Sequence, residues 1–113
     1  MSGLSIPVVH PVAQRLAVLA QLYQQGPVSD LTQRTVTKLL AYEVEVCRAQ
    51  LRQLHTDLAD FEQRYTMSTA EFYPRFQAGQ TDDRMDFVEW ASLAQMAESL
   101  RARLRLLTAE EMP

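Results

Sequence analysis

Eight residues in the middle of the chain, Leu40, Val44, Cys47, Leu51, Leu54, Leu58, Phe61 and Tyr65, follow one another at steps of 4, 3, 4, 3, 4, 3 and 4. A strand cannot use this rhythm, because its faces alternate at every residue. A helix turns it into one apolar stripe that asks for a partner helix. A second stripe follows at Trp90, Leu93, Ala97, Leu100, Leu104 and Leu107, with steps of 3, 4, 3, 4 and 3. Two stripes of similar length in a 113-residue chain are expected to face each other. No run alternates with a period of two for long enough to suggest a sheet. The expected fold is therefore all-α: an antiparallel hairpin of two long helices, a short crossing helix at the turn, and an extra N-terminal helix.

A chain of this size buries a modest share of its surface, and two helices make one contact layer. A third element, a second copy or a partner is expected to complete it. Residues 1–30 are expected to form an arm and a short helix, and residues 31–113 the hairpin domain. Pro7 and Pro11 push Ile6 and His10 toward extended backbone, so Met1–Pro11 reads as an arm. A first helix is expected from about Val12 to Gln25, ended by Gly26-Pro27, with an apolar face of Leu16, Leu19, Ala20, Leu22 and Tyr23. It serves as a third core element or as a dimerisation segment.

Asp30 or Thr32 can cap the long helix, expected over about Leu31–Arg64. Ser68-Thr69-Ala70-Glu71 reads as a capping box that opens a short helix from Thr69 to about Gln77. Pro74 falls within its first two turns, where a missing amide costs less than it would further in. Gly79 closes that segment, and Asp82 or Asp83 can cap a last helix over about Arg84–Ala109. Glu110–Pro113 reads as a frayed end.

The net charge of −3 is unevenly spread. Met1–His55 carries +2, Thr56–Glu98 carries −6 and Ser99–Pro113 carries +1. The acidic stretch surrounds the turn between the two stripes. A negative surface there attracts basic partners and repels nucleic acid. The aromatic residues Phe61, Tyr65, Phe72, Tyr73, Phe76, Phe87 and Trp90 crowd into the same region, where they are expected to build a local core.

Enzyme constellations are absent. His10 and His55 have no Cys or His at metal-ligand spacing, and there is no phosphate-binding, dinucleotide-binding, zinc-protease or nucleophile-elbow motif. The run Thr81-Asp82-Asp83-Arg84-Met85-Asp86 lacks the spaced ligands of a calcium loop. No metal and no cofactor is expected. Cys47 lies on the stripe as a small apolar residue and has no second cysteine to pair with. Arg101, Arg103 and Arg105 fan around a helix instead of forming one basic stripe, so nucleic-acid binding is not expected beyond an autoregulatory role that would need two copies. No signal peptide and no membrane span is read, and a cytoplasmic location is the default.

The stretch from Tyr42 to Leu107 resembles a family of small helical bacterial and archaeal proteins. The residues that carry the likeness are Glu62-Gln63-Arg64-Tyr65, Met67-Ser68-Thr69-Ala70-Glu71-Phe72-Tyr73, Arg75-Phe76, Gly79, Asp82-Asp83 and Asp86-Phe87-Val88-Glu89-Trp90. The chain departs from that pattern at Pro74, where a helix former is usual, and near Thr81, where a glycine is usual. Such proteins look like the antitoxin half of two-gene toxin–antitoxin modules, often beside a small nuclease toxin. The resemblance implies a non-catalytic antitoxin that neutralises a basic protein toxin by direct binding. The contact residues expected on this reading are Phe72, Tyr73, Phe76, Asp82, Asp83, Asp86, Phe87, Glu89 and Trp90. The alternative is a structural coiled-coil adaptor or a homodimeric subunit of a larger assembly.

Overall fold

The computed structural model describes residues 10–109, and every regular element among them is a helix: α1 (Pro11–Gln25), α2 (Asp30–Tyr65), α3 (Thr69–Gln77) and α4 (Met85–Thr108). Most of the arm and the frayed end expected at Glu110–Pro113 lie outside the described residues. The chain divides into two compact units, Met1–Thr37 and Lys38–Pro113, with the division inside α2.

In the first unit, Pro11 is the first residue of α1 rather than the last of the arm. A proline is favoured there because its missing amide would have had no partner. His10 caps the helix, its Nδ1 accepting from the Val12 amide at 3.2 Å. α1 has no buried residue, and Leu16, Leu22 and Tyr23 stay exposed. The cap of α2 is Ser29, in place of Asp30 or Thr32: its Oγ accepts from the Thr32 amide at 3.2 Å. Asp30 instead stands in the first turn and pairs with Arg34 at 3.1 Å.

The core lies wholly in the second unit. Six of the eight residues of the first stripe are buried; Leu40 is exposed and Tyr65 half-buried. On α4 the buried face is Trp90, Ala91, Ala94 and Ala97, while Leu93, Leu100, Leu104 and Leu107 are half-buried. The expected leucine stripe is thus displaced to the flank. Alanines have no bulk beyond Cβ, so they let the α2 leucines come close, and the α4 leucines wrap the sides. Contacts run in opposite order along α2 and α4: Cys47 Sγ donates to the Leu100 carbonyl at 3.2 Å, Phe61 stacks on Trp90 at 5.8 Å, and the Tyr65 hydroxyl donates to Asp86. Each buried Leu or Phe contributes about 1.5–3 kcal/mol over its exposed state. This packing far outweighs the exposed Glu45–Arg48 pair at 3.5 Å.

Two left-handed residues end α2 and α3. The Met67 amide reaches back to the Glu62 carbonyl at 3.2 Å, which places Thr66 at φ 52°. The Gln80 amide reaches the Arg75 carbonyl at 2.8 Å and the Gly79 amide the Phe76 carbonyl at 3.0 Å, with Gly79 at φ 73°. These are the bonds that satisfy the last open carbonyls of a helix. Glycine adopts this conformation freely, whereas β-branched Thr66 is strained by about 1–2 kcal/mol.

Candidate functional site at the acidic turn

The region between α2 and α4 is built around Trp90, which has no exposed surface. Phe72 of α3 lies parallel to its indole with ring centroids 3.9 Å apart, Phe61 stacks at 5.8 Å, and Tyr65 stands at 5.9 Å. The indole Nε1–H donates to Thr69 Oγ1 at 2.9 Å. α3 is positioned by its own cap: Ser68 Oγ accepts from the Glu71 amide at 3.1 Å, as its capping sequence implies. Among the described residues, the Glu71 side chain does not make the reciprocal bond to the Ser68 amide. Glu62, from the end of α2, accepts from the Thr69 amide at 2.7 Å and so ties α3 to α2. Pro74 sits inside α3, and its carbonyl still accepts from the Ala78 amide at 3.0 Å.

Outside this aromatic centre lies a charged layer. Asp82 takes the Arg84 guanidinium in a fork, with Nε at 2.9 Å and Nη2 at 2.8 Å, and accepts the Arg84 amide at 3.0 Å. The Arg84 side chain hydrogen-bonded to Asp82, with the backbone amide in second place, holds its carboxyl at about 2. The same pairing raises the Arg84 pKa. Asp82 therefore does not cap α4, and neither does Asp83: Arg84 occupies the cap position without a side-chain bond. Fixed by Asp82, the guanidinium lies over the rings of Phe87 and Tyr65, 4.6 Å and 5.9 Å from their centroids, where the ring faces attract its charge.

Asp86, in the first turn of α4, accepts from the Tyr65 hydroxyl and from Arg64 at 3.1 Å, and Arg64 also reaches Asp60 at 2.8 Å. The Tyr65 hydrogen bond, followed by Arg64, lowers the Asp86 carboxyl below its ordinary range. Its place near the helix N-terminus favours the charged form as well. Arg64 is correspondingly raised, first through Asp86.

The nine expected contact residues therefore separate. Trp90 and Phe72 are buried in the local core expected of the aromatics, so a partner cannot reach them without opening the fold, and this removes them from the expected contact residues. Tyr73, Phe76 and Phe87 are half-buried, each with an edge at the surface. Asp82 and Asp86 are committed to internal pairs. Asp83 and Glu89 are exposed and, among the described residues, form no ion pair. Glu89 lies apart from the loop, lining a groove with Asp57, Asp60 and Arg64.

Four residues hold places at the turn that the sequence reading did not assign them: Met85, Arg84, Tyr65 and Glu62. Met85 is 79% exposed and Val88 44% exposed, which leaves an apolar patch beside Asp83. The Asp-x-Arg spacing of Asp82 and Arg84 was the available signal for their fork. Nothing in the sequence marks Glu62 as the cap of a different helix.

Among the described residues there is no cluster of His, Cys, Asp and Glu able to hold a metal ion, and no helix long and apolar enough to cross a membrane. Comparisons with protein-family models, curated proteins and solved structures find no match.

Proposed function

We propose that this chain is a non-catalytic, antitoxin-type protein that neutralises a basic protein partner, a small nuclease being the class that fits best. In this reading α2 and α4 form an antiparallel hairpin, α3 crosses its closed end, and the turn is the docking surface. The observation that carries it is the contrast at residues 82–88. Asp82 and Asp86 are spent on internal pairs that stiffen the turn, while Asp83, Met85 and Val88 are left outward on that stiff frame. A rigid apolar patch edged with negative charge loses little entropy on binding, and its charge speeds encounter with a positive groove. Met85 and Val88 supply contact area, and Asp83 faces the partner's cationic groups. Enzymatic chemistry forms no part of this reading.

The test is co-expression with the product of the adjacent reading frame. Asp83→Lys and Met85→Glu alter exposed side chains without touching the internal pairs. Wild type is expected to protect cells and co-purify with that product, and the double variant to do neither at unchanged helix content. Full protection by the double variant would show that the turn is not the inhibitory element.

The adaptor reading has its own support in α1, whose Leu16, Leu22 and Tyr23 are all exposed. A stable assembly formed by the chain alone, with no affinity for the neighbouring product, would favour it.

A further inference from the structure

Residues of α2, α3 and α4 together line a half-open cavity of ≈ 470 Å³. Ligand sites ordinarily span about 300–1,000 Å³. The floor is apolar, built from Leu58 and Ala94, both buried. α3 supplies one wall through Ala70, Tyr73 and Pro74. The rest of the lining carries charge. Glu62 stands where α3 begins, holding the Thr69 amide at 2.7 Å. Glu98 and Arg101 enter from α4, and His55 faces them from α2. Among the described residues, none of His55, Glu98 and Arg101 forms an ion pair, whereas Arg64 and Arg84 at the turn both do.

The charged groups fall at two ends of the cavity. Phe61 stacks on Trp90, so Glu62 stands near the level of Trp90. Glu98 and Arg101 lie eight and eleven residues further along α4, about 12 and 17 Å away at 1.5 Å per residue. Long helical side chains lean toward the N-terminus of their own helix. Contacts run in opposite order along α2 and α4, so Glu62 leans toward Glu98 and Arg101, and these lean back toward it. A gap of several ångströms over Leu58 and Ala94 remains. It suits an apolar stem with a cation at the Glu62 end and an amine and a carboxylate at the other. With His55 set aside, the two carboxylates and one guanidinium of the lining leave one net negative charge. A matching ligand carries one net positive charge.

We propose that this cavity binds free arginine. Its α-carboxylate sits in the fork of Arg101, with the His55 imidazole as a second donor, and its α-ammonium meets Glu98. The stem crosses Leu58 and Ala94, and the ligand's guanidinium reaches the Glu62 carboxylate beside the Tyr73 ring. Each charge of the cavity then has an opposite one. A planar guanidinium suits the inner end better than a lysine ammonium, because it stacks on an aromatic ring while it bonds a carboxylate. Asp83, Met85 and Val88 do not line this cavity, so its failure would leave the proposed docking turn untouched.

The test is an NMR titration of the full chain with arginine and three analogues. Arginine is expected to saturate with a Kd of about 0.1–1 mM, ordinary for a small ligand in a half-open site. Shifts are expected at residues 55–62, 69–74 and 94–101. Agmatine lacks the carboxylate, citrulline the side-chain charge and Nα-acetylarginine the ammonium. Each is expected to bind about tenfold more weakly, since each leaves one charged partner unanswered. Arg101→Ala is expected to erase the preference for arginine over agmatine, and Glu98→Gln the preference over Nα-acetylarginine, both at unchanged helix content. Glu62 also anchors α3, so citrulline tests its role in place of a substitution. No saturable shift at ~10 mM arginine, well above the expected constant, would overturn the proposal. So would saturation with shifts confined to residues 80–88, an analogue as tight as arginine, or a preference that survives its variant.

Discussion

Trp90→Ala removes the side chain on which the acidic turn is built. The indole is fully buried, lies 3.9 Å from the Phe72 ring, and donates to Thr69. Truncating a large buried aromatic costs about 3–5 kcal/mol, and loss of the Thr69 hydrogen bond adds about 1 kcal/mol. The core lies in a unit of roughly 70 residues, for which total stability of about 4–10 kcal/mol is ordinary. Trp90→Ala is therefore expected to leave the unit near its unfolding midpoint in water.

Trp90→Phe keeps a stacked ring and loses the hydrogen bond and part of the buried area, for about 1–2 kcal/mol. At a urea slope of about 1 kcal/mol/M this lowers the midpoint by about 1–2 M. Helix content followed in urea is the assay, because the only tryptophan is lost. Thr69→Ala separates the terms. It costs about 1 kcal/mol in the wild-type background and almost nothing in Trp90→Phe, because the bonded partner is already gone. A Trp90→Ala midpoint within about 0.3 M of wild type would refute this account of the turn. A native tryptophan as open to a soluble quencher as the unfolded one would refute it too.

The two left-handed helix ends respond in opposite directions. Thr66→Gly is expected to raise stability by about 1 kcal/mol and Gly79→Ala to lower it by about 1–2 kcal/mol, both read from urea midpoints. A Cβ at Gly79 meets nothing within 4 Å, so its cost is purely conformational. Asp82, with its carboxyl at about 2 in the folded chain and near 3.9 unfolded, stabilises the fold above about pH 4. That contribution disappears as pH falls from about 4 through about 2, whereas Asp82→Asn is expected to lose this dependence in acid titrations followed by helix content. Cys47, 2% exposed and donating to Leu100, is expected to react with a thiol reagent only at the rate of opening of the α2/α4 pair. Fast labelling of the native chain would contradict that packing.

The helical class was legible because heptad spacing admits no other regular structure. The short helix from Thr69 to Gln77 and its Ser68 cap were legible for the same local reason: capping chemistry is written within four residues. The α4 face was not, because Ala97 was read as one member of a leucine stripe while Ala91 and Ala94 carried no signal. Small residues mark a close approach only once the opposing leucines are known. The local core expected of the aromatics is present, but the same burial takes Trp90 and Phe72 out of the contact set expected at the turn. Composition placed the aromatics near the turn, but whether a ring faces inward depends on α3 folding over it, and Glu62 holds α3 there through a bond that crosses elements. The acidic count likewise overstated the free charge, because Asp82, Asp86 and Asp60 are answered by Arg84 and Arg64. Pairing of that kind is set by geometry at the turn and not by net charge along the chain.

The most direct measurement is hydrogen exchange on this chain, free and in complex with the product of the adjacent reading frame. Slowed exchange concentrated in residues 80–88 and the facing turn of α3 is the expected result. An unchanged turn with protection elsewhere, or no complex at micromolar concentration, would contradict the claim that this turn is where the protein acts.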